Sequence, residues 1–393
     1  MAAYVCTRFC INKFKDSIRF IQRRYRVKTK WAATRPKFPA TELALHNFDT
    51  SYSIQLRDIW PSVRVAMLCE QKYGALINSF SSAPNLITDL EAQGCKDFIS
   101  IDRSKNEVHQ SSQNFSTSHR DSTKLEPASL QSSICPDIKC LVFPQGDISR
   151  FKPAGPDSSG ILGYYLLDAA SVLPVLALDV QPGHTVLDLC AAPGGKTLAL
   201  LQTHSINYLW ANDLSGSRTL RLHRTLHSYL PKEFLDENKI HITSTDGRQL
   251  GMTEEKSFDR VLVDVPCTTD RHSAMVEENN IFKRSRTKER QKLPLLQTQL
   301  LLAGIQATRQ GGHTVYSTCS LSQLQNECVV QQAISLAQQE LGITVQVQDL
   351  RWFAQHFSDT FHFAPQLSVG ELVLPHLHAN FGPIYMCKLQ RMN

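Results

Sequence analysis

Five short apolar runs, at 185–189, 208–212, 240–243, 260–265 and 313–317, alternate with helix-like stretches at 196–203, 216–228, 293–308 and 322–340. A run such as Val261-Leu262-Val263-Asp264-Val265 lacks polar alternation, so a strand made from it is buried on both faces. Two-faced strands joined by helices predict one architecture, a doubly wound α/β sheet that is mostly parallel. Segments 343–347 and 383–389 add candidate antiparallel edge strands. Tyr164 to Leu178 reads as an apolar helix, with Pro174 near a kink or end.

The chain has 393 residues, enough for this sheet plus extensions. Residues 39–102 read as a helical extension with buried aromatics, including Trp60-Pro61-Ser62-Val63 and the Lys72–Asn78 stretch. Residues 103–135 are dominated by Ser, Gln, Asn and Thr and read as a flexible insertion. Cys140-Leu141-Val142-Phe143 reads as a short strand, and 136–393 as the catalytic domain.

No run of 18 apolar residues occurs, so a membrane-spanning helix is not expected. The 11 cysteines include no CxxC pair, which argues against structural zinc and suits a reducing compartment. The net charge of +6 is unevenly spread: residues 1–38 hold eleven Lys/Arg and one acid, Asp16, leaving 31 basic and 35 acidic groups in the rest. An Arg-rich, acid-poor N-terminus with interspersed Phe, Ile and Val reads as a mitochondrial transit peptide. A basic nucleic-acid-binding arm is the competing reading. The mildly acidic remainder argues against strong general attraction to a polyanion.

In a doubly wound sheet, ligands bind beyond the carboxyl ends of the strands, where the strand order reverses. The first strand runs into Cys190-Ala191-Ala192-Pro193-Gly194-Gly195-Lys196. Gly194 and Gly195 permit close backbone approach, and the following helix offers free N–H groups. A GxxxxGK[ST] phosphate loop would need Gly at position 190, where Cys stands, and GxGxxG is absent. The next strand ends at Asp213, placed to accept from a ribose diol, with Arg218 on the first turn of the following helix. The third ends at Asp246, suited to an exocyclic amine, and the fourth at Asp264. Together these positions suit an adenosyl ligand, although any single Asp there also fits a helix N-cap.

Two cysteines, Cys267 and Cys319, each lie just past the end of a buried strand. Most cysteines in such a chain are small buried hydrophobes, the reading given to Cys190, Cys328 and Cys387. A strand-end thiol beside a helix start is instead placed for nucleophilic work. Beside an adenosyl cofactor, thiolate addition at carbon 6 of a pyrimidine would make carbon 5 nucleophilic toward a methyl group. Asp264 and Lys196 lie on the same rim and are candidates to stabilise the adduct. Spacing leaves open which thiol attacks.

The turn Cys-Ala-Ala-Pro-Gly-Gly-Lys, the Asp264-Val265-Pro266-Cys267 segment and Ser317-Thr318-Cys319-Ser320 together resemble the Sun family of RNA cytosine-5 methyltransferases. The resemblance runs from about Phe48 to Arg391. It implies a Rossmann-like S-adenosylmethionine-dependent sheet, with Gly194, Gly195, Lys196, Asp213, Arg218, Asp246, Gly247 and Asp264 at the cofactor. It also implies that Cys319 is the nucleophile and Cys267 assists product release. Thr268-Thr269-Asp270-Arg271-His272-Ser273 departs from the commoner Asp-Ala-Pro-Cys-Ser-Gly continuation. With Glu278-Asn279-Asn280-Ile281-Phe282-Lys283 and Asn380-Phe381-Gly382-Pro383, it is similar to the mitochondrial branch. That branch implies small-subunit ribosomal RNA as substrate, the mitochondrial matrix as location, and a heterodimeric partner of the transcription-termination-factor helical-repeat family. The large mitochondrial ribosomal subunit is a further candidate partner.

No separate basic RNA-binding module is visible. The strongest local patch is Lys283, Arg284 and Arg286, continued by Lys288, Arg290 and Lys292, whose spacing suits phosphate contact. Its competing reading is a solvated helix face. One patch on a net-acidic body fits a protein whose RNA affinity is supplemented by a partner. A competing function is a ribosome-assembly factor acting mainly by binding. A DNA methyltransferase is disfavoured by the Ser-Thr-Cys-Ser thiol.

Overall fold

The computed structural model describes residues 38–100 and 137–393. The transit-peptide segment, apart from Phe38, and the polar 103–135 segment lie outside the described residues. In chain order the elements begin with α1 (Ala40–Leu56), α2 (Trp60–Leu68), β1 (Gly74–Ile77), α3 (Leu86–Ala92) and β2 (Lys96–Asp97). Next come β3 (Cys140–Val142), β4 (Tyr164–Leu167), α4 (Leu173–Leu178), β5 (His184–Asp188), α5 (Gly195–Leu201), β6 (Ile206–Asn212), α6 (Gly216–Tyr229) and β7 (Ile240–Thr243). The chain continues through α7 (Gly247–Thr253), β8 (Phe258–Asp264), α8 (Asp270–Met275), α9 (Thr287–Ala307), β9 (Thr308–Thr318) and α10 (Glu327–Leu341). It closes with β10 (Val345–Val347), α11 (Arg351–His356), β11 (Glu371–Val373) and β12 (Ile384–Arg391).

The main sheet has the order β10-β12-β9-β8-β5-β6-β7, with β11 also paired to β12. Strands β5 to β9 are parallel, whereas β12 runs antiparallel to β9. From β5 the chain winds outward through β6 and β7, then returns to the other side of β5 as β8 and β9. The strand order therefore reverses between β5 and β8, opening a crevice at their carboxyl ends.

Successive residues of a strand face opposite sides of the sheet. Val186 accordingly joins a core with Leu198, Leu209, Leu222 and Leu226 on one face. Leu187 joins Val261, Val263, Leu300 and Leu301 on the other. Each such fully buried aliphatic side chain contributes roughly 1.5–3 kcal/mol. Gly304 of α9 lets that helix lie directly on β8, since a Cβ there would sit 2.5 Å from Val263 Cγ2.

Two readings are corrected. Tyr164 to Leu178 is not one helix: Tyr164–Leu167 is β4, pairing with β1, and only Leu173–Leu178 is α-helical. The Lys72–Asn78 stretch is not helical either, because Gly74–Ile77 forms β1. A short apolar run satisfies either period, and here long-range pairing decides. Strands β1 and β2 join β3 and β4 in a separate antiparallel sheet of order β2-β3-β1-β4, so the helical extension also carries strands.

Helices α1 and α2 pack onto the α9 face of the main sheet. Phe48 stacks on Tyr52 at 5.1 Å and meets Phe282 edge-on at 5.1 Å, while Tyr52 meets Trp60 at 5.3 Å. The free N–H groups opening α1 are capped by a distant side chain: Glu277 accepts from Ala40 N at 3.0 Å and Thr41 N at 2.9 Å. Among the described residues, no helix is long and apolar enough to cross a membrane.

Candidate functional site

Strand β5 delivers Asp188 to the rim, and the turn to α5 follows at once. Gly194 sits at φ 114, a left-handed conformation that favours glycine, and an added Cβ would press on Leu222 and Thr225. Asp188 is almost fully buried, and Thr197 Oγ1 donates to its Oδ2 at 2.7 Å. Its Oδ1 receives no hydrogen bond from the described residues. Burial, reinforced by the nearby Asp264 and Asp213 charges, pushes the Asp188 carboxyl up to about 7, with Thr197 opposing.

Asp213, just beyond β6, is also buried, and its Oδ2 lacks a hydrogen bond from the described residues. Arg218 of α6 lies 3.3 Å from that oxygen as an ion pair, while also donating to Ala192 O. Buried acceptors normally find donors, and two without a hydrogen bond at adjacent strand ends, one of them held only by the Arg218 ion pair, mark where a ligand's hydroxyl or ammonium groups would fit. These acceptors, the Gly194-Gly195 turn and the crevice fit an adenosyl cofactor. Asp246 is more committed: it caps α7 through Arg248 N at 3.1 Å and pairs with the Arg248 guanidinium at 2.5 Å. Gly247 follows it, buried.

Beyond β8 and β9 the two sequence-predicted thiols come together, with Cys267 Sγ and Cys319 Sγ 3.2 Å apart and both free. Lys196 Nζ donates to Asp264 Oδ2 at 2.8 Å, and Ser317 Oγ donates to Asp264 Oδ1 at 2.7 Å. The hydrogen bond with Cys267, then burial, pushes the Cys319 thiol well above its ordinary range, while Lys196 pulls it down. Burial opposes the Lys196 charge, but Asp264 and the neighbouring thiol outweigh it and hold the ammonium above its usual value. The structure thus gathers Lys196, Asp264, Cys267 and Cys319 at one end of the rim, with Asp188, Gly194, Asp213 and Arg218 beside β5 and β6.

The departure after Cys267 also has a structural reading. Thr269 stands at φ 44, a left-handed conformation unusual for a β-branched residue. Next comes Asp270, fully buried, whose Oδ2 accepts from Tyr52 OH at 2.7 Å and Leu321 N at 2.7 Å. Its Oδ1 accepts from Thr268 Oγ1 at 2.5 Å and Ser320 Oγ at 3.2 Å. Burial raises the Asp270 carboxyl, with Thr268 and Leu321 the main opposing donors. Arg271 clamps α2, donating to Ala66 O at 3.1 Å, Gly382 O at 2.9 Å and Asn380 Oδ1 at 2.8 Å. Sequence reading missed Asp188 and Asp270; a strand-end carboxylate beside the glycine turn was the available signal for the first.

The predicted phosphate-contacting patch is partly engaged. Arg286 donates to both Glu289 oxygens and to Asn279 O, Arg284 lies 4.3 Å from the Phe38 ring, and Lys283 is exposed. Among the described residues, no cluster of His, Cys, Asp and Glu is arranged to hold a metal ion.

A family model described as 16S rRNA methyltransferase RsmB/F matches residues 175–390. The Xenopus laevis 5-cytosine rRNA methyltransferase NSUN4 is 54% identical, over 98% of this chain and 99% of its own. The Bos taurus protein of the same name is 57% identical, over 95% of this chain and 94% of its own. A Danio rerio mitochondrial tRNA (cytosine(34)-C(5))-methyltransferase is 35% identical, over 91% and 90%. A methyltransferase homologue from Pyrococcus horikoshii has the same fold at TM-score 0.58 and 21% identity, covering 91% of this chain and all 100% of that one. The chain therefore belongs to the RsmB/F, or Sun, family of S-adenosylmethionine-dependent RNA cytosine-5 methyltransferases.

Proposed function

We propose that the chain methylates carbon 5 of a cytosine in mitochondrial small-subunit ribosomal RNA through a covalent adduct with Cys319. The observation that carries this reading is the 3.2 Å approach of two free thiols beside the Lys196–Asp264 pair. The ribosomal RNA substrate follows from the relatives at 54% and 57% identity. A mitochondrial site is supported by the 35%-identical relative, a mitochondrial enzyme by name, and by the eleven Lys/Arg against one acid in residues 1–38, read as a matrix-targeting presequence.

Bound S-adenosylmethionine supplies an electrophilic methyl group on a sulfonium centre. Asp213 would hold the ribose hydroxyls through the oxygen that has no hydrogen bond, with Arg218 paired to the same carboxylate, and Gly194 and Gly195 let the turn pack tightly against Leu222, Thr225 and Tyr165. Asp246 would stand beside the adenine, while Gly247 behind it lets α7 close onto the core, since a Cβ there would meet Leu189 and Leu300 at 3.2 Å. Asp188 Oδ1 would offer an acceptor to the amino-acid end of the cofactor.

Burial and the Cys267 hydrogen bond favour the protonated Cys319 thiol, so attack waits on transfer of that proton to a solvent base, favoured by the Lys196 charge. The Cys319 sulfur then bonds carbon 6 of the cytosine, and the electron pair of the carbon 5–carbon 6 bond becomes available at carbon 5. Asp264, fixed between Lys196 and Ser317, accepts from the base's amino edge and so holds the ring for attack. Carbon 5 gains the methyl group as the methyl–sulfonium bond breaks, S-adenosylhomocysteine being the leaving group. The carbon 5 proton then passes to a solvent base, the carbon 5–carbon 6 double bond re-forms, and the electron pair of the sulfur–carbon 6 bond returns to Cys319. Cys267, at hydrogen-bond distance from the departing sulfur, assists that release.

Lys283, Arg284 and Arg286 contribute RNA contact. Since Arg286 is held by Glu289, we assign part of the RNA positioning to a partner of the helical-repeat transcription-termination-factor class, with a role in ribosome assembly that includes the large subunit. Bisulfite sequencing of mitochondrial ribosomal RNA, with and without the gene, tests the substrate. Loss of one methylated cytosine in the small-subunit RNA is expected, and an unchanged pattern would overturn the assignment.

A further inference from the structure

The segment Thr268-Thr269-Asp270-Arg271 plays no part in the chemistry above, yet it binds three separate pieces of the chain together. Asp270 is fully buried, and among the described residues no cation hydrogen-bonds to it. It is instead shared among donors from helix α1 (Tyr52), the Cys267 loop (Thr268) and the Cys319 loop (Ser320 and Leu321). Its own backbone N donates to Cys319 O at 3.2 Å. Gln325 closes the same knot, accepting from Thr268 N at 3.1 Å and donating to Thr268 Oγ1 at 2.9 Å.

Helix α1 reaches the Cys319 loop a second time. Gln55 donates to Leu321 O at 2.6 Å and accepts from Gln323 N at 3.1 Å. The loop after Cys319 is therefore anchored to α1 directly by Gln55 and, through Asp270, by Tyr52, the two lying one helical turn apart on one face. A buried carboxylate with every neighbour donating to it is rigid, because each broken bond leaves a buried polar group unpaired.

We infer that Asp270 is a positioning residue which, together with Tyr52, sets the spacing of the two thiols, making helix α1 part of the reaction centre rather than an accessory packed against it. The inference rests on the roles given above to Cys267 and Cys319. It follows that whatever displaces α1 also disturbs the thiol pair.

The test uses the purified full chain with Tyr52→Phe, Asp270→Asn and, as control, Thr41→Ala. The control removes the bond that Thr41 Oγ1 donates to Glu277 Oε1 at 2.5 Å, loosening the first turn of the same helix without touching the Asp270 contacts. Two readouts are taken: steady-state methylation, and the rate at which diamide converts the pair to a Cys267–Cys319 disulfide, followed by peptide mass spectrometry. In that reaction the two thiols lose their hydrogens to diamide, which is reduced to the hydrazine. Tyr52→Phe is expected to lower kcat about tenfold with KM for RNA within about twofold, because a small misplacement of reacting groups costs rate rather than affinity. The same variant is expected to slow disulfide formation, and Thr41→Ala to change neither readout.

Wild-type kcat and disulfide rates in both network variants would overturn the inference, as would equal losses in Thr41→Ala. Tyr52→Phe keeps the test decisive if Asp270→Asn fails to fold. The diamide readout needs no RNA, so it judges the network even if Cys319→Ala proves active and the thiol roles fall.

Discussion

The two ends of the rim treat buried carboxylates in opposite ways. At the cofactor end, Asp188 and Asp213 each keep one buried oxygen without a hydrogen bond among the described residues. At the thiol end, Asp270 is filled on both oxygens by four donors from three segments. Open acceptors are costly to maintain and make sense where a ligand supplies the donors. A saturated carboxylate instead fixes the geometry of its donors. On the proposed reading, the first end receives a molecule and the second holds two loops at a set spacing.

The largest effect that sharpens this contrast belongs to Lys196, which lies between the ends. Lys196→Ala removes the cation that pulls the Cys319 thiol down, so the methylation rate at neutral pH is expected to fall about 100-fold. The sign of the pH effect is fixed: a raised thiol is protonated until the solution becomes alkaline, so the wild-type rate rises with pH. The variant's profile should move further to alkaline pH. An unmoved profile would deny Lys196 its part in activating the thiol.

Next is Asp213→Asn, which alters an open acceptor. Cofactor affinity measured by calorimetry should weaken roughly 10- to 100-fold, the loss of one charged hydrogen-bonding group worth about 1.5–3 kcal/mol. Equal weakening in Tyr52→Phe would erase the distinction between the two ends.

Asp188 gives a smaller signal that depends on pH. Its folded carboxyl is pushed from 3.8 up to about 7, so between those values the folded state holds a proton that the unfolded state has lost. Its contribution to stability is complete below the ordinary value and is lost as pH rises toward about 7. Chemical denaturation of the cofactor-free chain should show that decline in the wild type and a flatter profile in Asp188→Asn. Identical profiles would mean that the carboxyl is not so perturbed.

The smallest effect is local. Thr269 occupies left-handed backbone at φ 44, so Thr269→Gly should raise stability by about 1 kcal/mol in thermal or denaturant unfolding. A destabilised variant would show that the side chain, not the backbone conformation, governs this position.

Much of this was legible in the sequence, for reasons that differ by element. Strand β7 falls at 240–243 as the apolar run predicts, because both flanks carry clear turn residues. The crevice and its glycine turn followed from strand order and from Gly194. The division of Tyr164–Leu178 did not, because β4 exists only through its pairing with β1. The Asp270 knot was out of reach for the same reason: Tyr52 and Asp270 are 218 positions apart, and neither residue carries a local sign of the other. Cys267 and Cys319 were recognisable singly, while their contact depends on β8 and β9 being neighbours in the sheet.

The proposed division of labour between those thiols meets its most direct test on a denaturing gel. The full chain is incubated with S-adenosylmethionine and mitochondrial small-subunit ribosomal RNA. Cys267→Ala should accumulate a covalent protein–RNA band that the double variant with Cys319→Ala cannot form, and Cys319→Ala alone should neither methylate nor cross-link. An adduct that persists without Cys319, or methylation by Cys319→Ala, would contradict the assignment.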